Sequence, residues 1–308
     1  MANTILASPA RRSPRRLGLA AGLVLAIAVS SLAGRTALAG LCGGDDRVRL
    51  VEGSSVETST ARISPDEVAA IRSAVYALRP RIGLGVGPFC TGTAISDKLL
   101  LTAGHCVFPG GIKAYQKHLR PRPRPLELKL VYRILDKRSG ADLALYSRKS
   151  GSFRDYLRVD PGFGFDDVEP GDRFGFPAFP YEKWNVFSWP QKKLLFSPVS
   201  QSTVEDEDVW FGVQPCREHA ALEPASPGST AVDESPWCRV YTCADFFDGN
   251  SGSPMLRFHL EGGAETVSIV AVGTVGAARR RPEGSPNAGA VPVSLLKDVL
   301  PGLLTPSR

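Results

Sequence analysis

The 308-residue sequence contains no Cys-x-x-Cys pair and no His-Glu-x-x-His segment, and it has only four histidines. The spacings that usually hold zinc are therefore missing, and the sequence implies neither a metal nor another cofactor. Beyond residue 39 no apolar run is long enough to cross a membrane as a helix. A nucleic-acid partner is not expected either, because the most basic stretch, Lys117 to Arg124, contains Pro121 and Pro123 but no aromatic residue on which a base could stack. That stretch reads as a solvated loop.

What is present begins with an export signal. Arg11, Arg12, Arg15 and Arg16 precede the apolar stretch Leu17 to Ala33, and Ala37-Leu38-Ala39 follows. The pattern predicts a signal peptide over residues 1–39, and hence a secreted or periplasmic protein with no stable membrane anchor after cleavage. Those residues carry five Arg and no acidic residue, so the remainder has a formal charge of +1 against +6 for the whole chain. The basic character belongs mainly to the leader.

All six cysteines, Cys42, Cys90, Cys106, Cys216, Cys238 and Cys243, lie beyond the leader. An even number in an oxidising compartment fits three disulfides. Residues 40–70 are polar and poor in aromatics, which reads as a linker or pro-segment outside the core. From about Val75 short β-type runs recur between Gly, Pro, Asp and Ser clusters: Leu99 to Leu101, Leu128 to Leu135, Leu143 to Leu145 and Val267 to Val275. With 31 Gly and 25 Pro in the chain, this spacing predicts an all-β protein, a barrel or a sandwich. The less regular stretch 204–237 reads as a surface insertion. Near the end, Ser294 is expected to cap a short helix over residues 295–300, stopped by Pro301.

Three short segments carry chemistry. Ser251 sits in Gly249-Asn250-Ser251-Gly252-Ser253-Pro254, where glycines allow a tight turn and close approach of backbone N–H groups to a substrate carbonyl. His105 lies in Leu101-Thr102-Ala103-Gly104-His105-Cys106, just past an apolar strand, with Cys90 sixteen residues before Cys106. That spacing suits a disulfide that steadies the backbone beside the imidazole. Asp142 opens Asp142-Leu143-Ala144-Leu145-Tyr146, a carboxylate leading into an apolar strand, where burial requires a partner. Nucleophile, base and orienting acid are the parts that acyl transfer needs when no metal takes part.

Taken in order, Cys-x-Gly-Thr with Thr-Ala-Gly-His-Cys, then Ala-Asp-Leu-Ala-Leu, then Gly-Asn-Ser-Gly-Ser-Pro resembles the trypsin and chymotrypsin superfamily of serine proteases. The last segment is closest to the bacterial branch that includes glutamyl endopeptidases. The resemblance spans roughly residues 75–300 and is dense only at these motifs. It implies two perpendicular antiparallel β-barrels and a short C-terminal helix, with a His105, Asp142 and Ser251 triad in the cleft between the barrels. Residues 71–170 would form the first barrel and 171–308 the second, which Phe174-Gly175-Phe176-Pro177 would open. By the same likeness the N–H groups of Gly249 and Ser251 form the oxyanion hole, Thr274, Val275 and Gly276 border the pocket for the substrate residue before the scissile bond (P1), and Cys90 pairs with Cys106. The pairing of the other four cysteines stays open. The implied substrates are proteins or peptides.

This chain departs from the resemblance at several positions. Asn250 stands where trypsins place an Asp that pairs with a freed N-terminal amine, so activation by that ion pair is not expected. Arg81-Ile82-Gly83 looks superficially like an activation cleavage site, but it lies too close to Cys90 to leave room for the usual first strand. Asp245, six residues before Ser251, stands where trypsins hold the carboxylate that selects Arg or Lys, yet Cys243 does not match the trypsin cysteine. No His occurs from Val272 to Gly276 to bind an acidic P1 side chain, so neither P1 preference follows from the sequence. An α/β-hydrolase is excluded by order, because the only His after Ser251 is His259, eight residues on. A catalytically weak or inactive homologue acting as a secreted binding protein is the alternative, and a secreted adhesin would leave the three ordered motifs unexplained.

Overall fold

The computed structural model describes residues 47–58, 62–81, 90–116, 124–136, 140–180, 193–199, 202–204, 207–209, 212–215, 237–244, 246, 249–276 and 288–304. The expected leader over 1–39, most of the insertion at 204–237, most of the basic stretch at 117–124, and Asp245 lie outside them. Among the described residues no helix is long and apolar enough to cross a membrane.

Six strands close on themselves, and three of them contain expected β runs, Leu99 to Leu101, Leu128 to Leu135 and Leu143 to Leu145. In spatial order the barrel runs Val75–Pro80, Cys90–Ala94, Leu99–Thr102, Asp142–Arg148, Leu126–Leu135 and Ile112–Tyr115, which pairs back with the first strand. Every pairing is antiparallel. Closure removes the sheet edges and turns the side chains of Leu78, Leu100, Leu101, Ile112 and Tyr146 into a core that excludes solvent.

A second sheet has nine strands among the described residues. Along its main path the order is Val48–Arg49, Leu195–Pro198, Arg173–Ala178, Pro254–Glu261, Ala264–Gly276, Ala288–Pro292, Trp237–Thr242 and Gly212–Pro215, with Arg158–Val159 pairing beside Ala264–Gly276. Phe163, Phe165, Phe174, Phe176 and Phe246 cluster on it, and the Phe176 and Phe246 rings meet edge to face at 5.6 Å. Asp172 and Arg257 form a buried pair in the same region, with Arg257 Nε donating to Asp172 Oδ2 at 2.8 Å and its guanidinium 4.6 Å from the centre of the Phe163 ring. A closed six-stranded barrel followed by a second, half-barrel sheet is the chymotrypsin-like arrangement. Phe174-Gly175-Phe176-Pro177 lies within Arg173–Ala178 of the second sheet, but it does not open that sheet, because the earlier strands Val48–Arg49 and Arg158–Val159, the latter within the expected first barrel over 71–170, already pair in it.

Two expectations need correction. The described part of 40–70 does not stand outside the core: Leu50, Val56, Ile63 and Val68 are buried in it, and Val48–Arg49 is a strand of the second sheet. These four are buried although Val51 is exposed, a selection that average composition does not reveal. This segment leads into the α-helix Pro65–Ala74, whose start is a capping box: Glu67 N–H donates to Ser64 Oγ, and Ser64 N–H donates to the Glu67 carboxylate. Buried Arg72 ties the helix back, donating from Nη1 to Leu50 O at 2.6 Å, and burial lowers its pKa.

The C-terminal helix is also displaced. A 3-10 turn occupies Val293–Leu296 and the α-helix is Leu300–Leu304, so Pro301 stands in its first turn and does not stop it. Proline is accommodated there because the first N–H groups of a helix have no intrahelical partner to lose.

Candidate active site

Strand register brings His105 to Asp142. Thr102 pairs with Ala144, and two further steps in opposite directions lead to Gly104 and Asp142. The chain turns there in the 3-10 segment Gly104–Cys106, which presents the His105 ring toward solvent while Asp142 remains 5% exposed. The Asp142 carboxylate accepts from the His105 backbone N–H at Oδ1 and faces His105 Nδ1 at Oδ2, each at 2.7 Å. A carboxylate oxygen can only accept in this contact, so the proton of the neutral ring lies on Nδ1 and Nε2 is left as the basic atom. Arg133 supports the same turn, donating from Nε to Gly104 O at 2.9 Å.

Cys90 and Cys106 are joined by a disulfide, as the sequence predicts. Cys106 Sγ lies 3.8 Å from Ser251 O. That is a packing contact, since a disulfide sulfur has no proton to donate. The same sulfurs and His105 form a group of possible metal donors within 4.8 Å of one another, but both sulfurs are spent on each other and neither is a thiolate. Cys243 is also disulfide-bonded.

Ser251 reaches this region from the second sheet. Pro254 pairs with Val272, and the ladder continues through Gly273 N–H to Ser253 O at 2.8 Å and Gly252 N–H to Gly273 O at 2.6 Å. Thr91 N–H, on the barrel strand Cys90–Ala94, donates to Ser251 O at 2.8 Å and draws the turn against the barrel. Only glycine fits at 252, where φ is 83° and a Cβ would run into the Thr102 hydroxyl and the Thr91 carbonyl.

Continuing that ladder puts Ser251 opposite Thr274, and the Ser251 hydroxyl donates to Thr274 O at 3.2 Å. Among the described residues it makes no hydrogen bond to His105. The N–H groups of Gly249 and Ser251 likewise have no hydrogen-bond partner among the described residues, although Gly249 is buried and Ser251 half-buried. Of the expected pocket residues, Thr274 is buried on Ala264–Gly276 and donates to Gly289 O at 3.4 Å. Val275 and Gly276 continue that strand, with side-chain positions outside the described set. Nothing in the sequence marks Thr91 as functional. It stands between Cys90 and Gly92, the two residues that define its motif.

No protein-family model matches this chain, and no curated protein matches it. Among solved structures it is similar to the MamO protease domain from Magnetospirillum magneticum in its apo form, at 16% identity over 74% of this chain and 96% of that one, with a TM-score of 0.44. The active form of the Rv3671c protease from M. tuberculosis matches at 16% identity over 76% and 82%, with a TM-score of 0.44. The serine endoprotease from Yersinia pestis matches at 16% identity over 78% and 66%, with a TM-score of 0.45. Likenesses of this size carry no argument about activity, and the site stands on its own distances.

Proposed function

We propose that this chain is an exported serine endopeptidase that hydrolyses peptide bonds in proteins or peptides through His105, Asp142 and Ser251. The observation that carries the reading is the double hydrogen bond from His105 to the buried Asp142 carboxylate, beside a turn that bears Ser251 and two N–H groups with no partner among the described residues. In this mechanism His105 Nε2 takes the Ser251 proton as Oγ bonds to the substrate carbonyl carbon. The negative charge that develops on the carbonyl oxygen is met by the N–H groups of Gly249 and Ser251. Collapse of the tetrahedral intermediate breaks the C–N bond, and His105 passes the proton to the leaving amine. Water then repeats the sequence on the acyl-enzyme. Asp142 holds the ring in the required tautomer throughout.

One observation favours a weak or inactive homologue: the Ser251 hydroxyl is engaged with Thr274 O, not with His105. A neutral hydrogen bond of this kind has a net worth of only about 1 kcal/mol, and the hydroxyl is released by rotation about one side-chain bond. Substrate or the basic His105 Nε2 can compete with that.

The deciding experiment is labelling with a fluorophosphonate, which reacts with a serine only when it is activated. Active enzyme gives a covalent adduct on Ser251, lost in Ser251→Ala and in His105→Ala, and cleaves a peptide library whose product ends reveal the P1 preference. Absence of both labelling and cleavage in correctly folded protein would defeat the reading in favour of a binding role.

A further inference from the structure

Thr91 is fully buried on a barrel strand, yet three of its hydrogen bonds reach the other sheet or the turn that sheet carries. Its N–H donates to Ser251 O at 2.8 Å. Its hydroxyl donates to Gly249 O at 2.9 Å and accepts from Phe179 N–H at 3.1 Å. Its own carbonyl accepts from the Thr102 hydroxyl at 2.8 Å, which fixes it to the strand leading to His105. A single residue thus joins the strand behind the histidine, the turn that carries the serine and the chain leaving Arg173–Ala178.

Peptide groups are planar, so a bond to a carbonyl also fixes the N–H of the same plane. The hydroxyl of Thr91 fixes the Gly249–Asn250 plane and its N–H fixes the Ser251–Gly252 plane. Between them lies the Asn250–Ser251 plane, which carries the Ser251 N–H. Gly249 has φ 92°, within the region open to glycine, so its carbonyl could turn readily if nothing held it.

We infer that the Thr91 hydroxyl is a latch that sets the oxyanion-binding amides, making Thr91 a positioning residue for the reaction proposed above, on which this assignment rests. Thr91→Val keeps the shape of the side chain but removes both side-chain hydrogen bonds. It removes the Thr91 hydroxyl from both Gly249 O and Phe179 N–H. The turn can satisfy Gly249 O only by rotating, and rotation carries the Ser251 N–H out of line. Because the oxyanion is absent from the ground-state complex and develops on the way to the tetrahedral intermediate, the loss falls on kcat and not on KM.

The test compares Thr91→Val, Thr91→Ala and Thr91→Ser with the unaltered protein by peptide kinetics, fluorophosphonate labelling rate and amide hydrogen exchange. Losing a single oxyanion donor commonly lowers kcat by about 100-fold or more, and Thr91→Val and Thr91→Ala are expected to reach about 100-fold with KM held and labelling slowed in step. Thr91→Ser should restore kcat. Exchange at the Phe179 amide should accelerate in the valine and alanine variants alone. Unchanged kcat in Thr91→Val, a loss that serine does not restore, or a loss confined to KM overturns the latch. If the unaltered protein neither labels nor cleaves, the protease reading fails, and exchange still judges the latch: unchanged Phe179 exchange in both variants overturns it. Failure of both variants to fold while Thr91→Ser folds would make Thr91 a folding residue and would equally overturn it.

Discussion

Asp142 receives two hydrogen bonds from His105, one from the backbone N–H and one from Nδ1, each at 2.7 Å. The backbone bond sets the height of the turn and the ring bond sets the tautomer, so one carboxylate fixes both where the imidazole stands and which nitrogen is basic. Asp142→Asn preserves the shape but offers an amide N–H toward the ring. If it faces Nδ1, that N–H favours the tautomer with its proton on Nε2. The expected result is a fall in kcat of about 10⁴, against about 10⁶ for Ser251→Ala, measured on one peptide substrate with the folds matched by circular dichroism. An Asp142→Asn variant as active as the unaltered protein would remove Asp142 from the mechanism.

Gly104 has no space for a side chain. A Cβ there would strike Ile134 O and stand 2.9 Å from Asp142 Oδ1 and 3.1 Å from Leu143 N. The first and last of these belong to backbone in paired strands, so the turn carrying His105 must move away from Asp142. Displacement of a catalytic group by about 1 Å can lower the rate about 100-fold, and Gly104→Ala is expected to do so while lowering the melting temperature. Kinetics and calorimetry on the same preparation check this, and unchanged values in both would show that the strands yield easily.

The three motifs behind the proposed site stand out in the sequence because each is concentrated in a few adjacent residues: a histidine beside a cysteine, an acid opening an apolar strand, a serine between glycines. The barrel strands are legible for a similar reason, since Leu99 to Leu101 and Leu143 to Leu145 are short apolar runs between turn residues. Thr91 is not legible. It occupies the variable position of Cys-x-Gly-Thr, and its side-chain partners lie 88 and 158 residues away. A threonine in a strand is ordinary, and only the closed fold brings Gly249 and Phe179 to it. The helix Pro65–Ala74 did leave a local signal, Ser64-Pro65-Asp66-Glu67, a capping box with proline at the first helical position. The polar composition of 40–70 hid it, because composition averages over the few apolar residues that decide burial.

Asp172 and Arg257 are both buried, and each satisfies the other. Asp172→Ala leaves the guanidinium enclosed beside Phe163 without its carboxylate, and removing one member of such a pair commonly costs about 3–5 kcal/mol. Urea unfolding should show that loss. The double replacement Asp172→Leu with Arg257→Met should recover much of it, since no uncompensated charge remains. A single variant as stable as the unaltered protein would mean that water or another group reaches Arg257.

Tyr76 and Tyr146 give the protein an alkaline limit. Burial is the main cause that raises each phenol to about 12, opposed by the positive charge of Arg148 at Tyr76 and of Arg133 at Tyr146. In the unfolded chain both titrate near pH 10. Between about pH 10 and about pH 12 the folded protein therefore holds protons that the unfolded chain has released, and stability must fall as pH rises through that window. Below about pH 10 the contribution is fully present. Urea midpoints measured across the window, alongside tyrosinate absorbance of the folded protein, should decline steeply. Tyr76→Phe combined with Tyr146→Phe, which removes both titrations at little cost in shape, should flatten the decline. A double variant that loses stability as steeply as the unaltered protein would assign the alkaline limit to other groups.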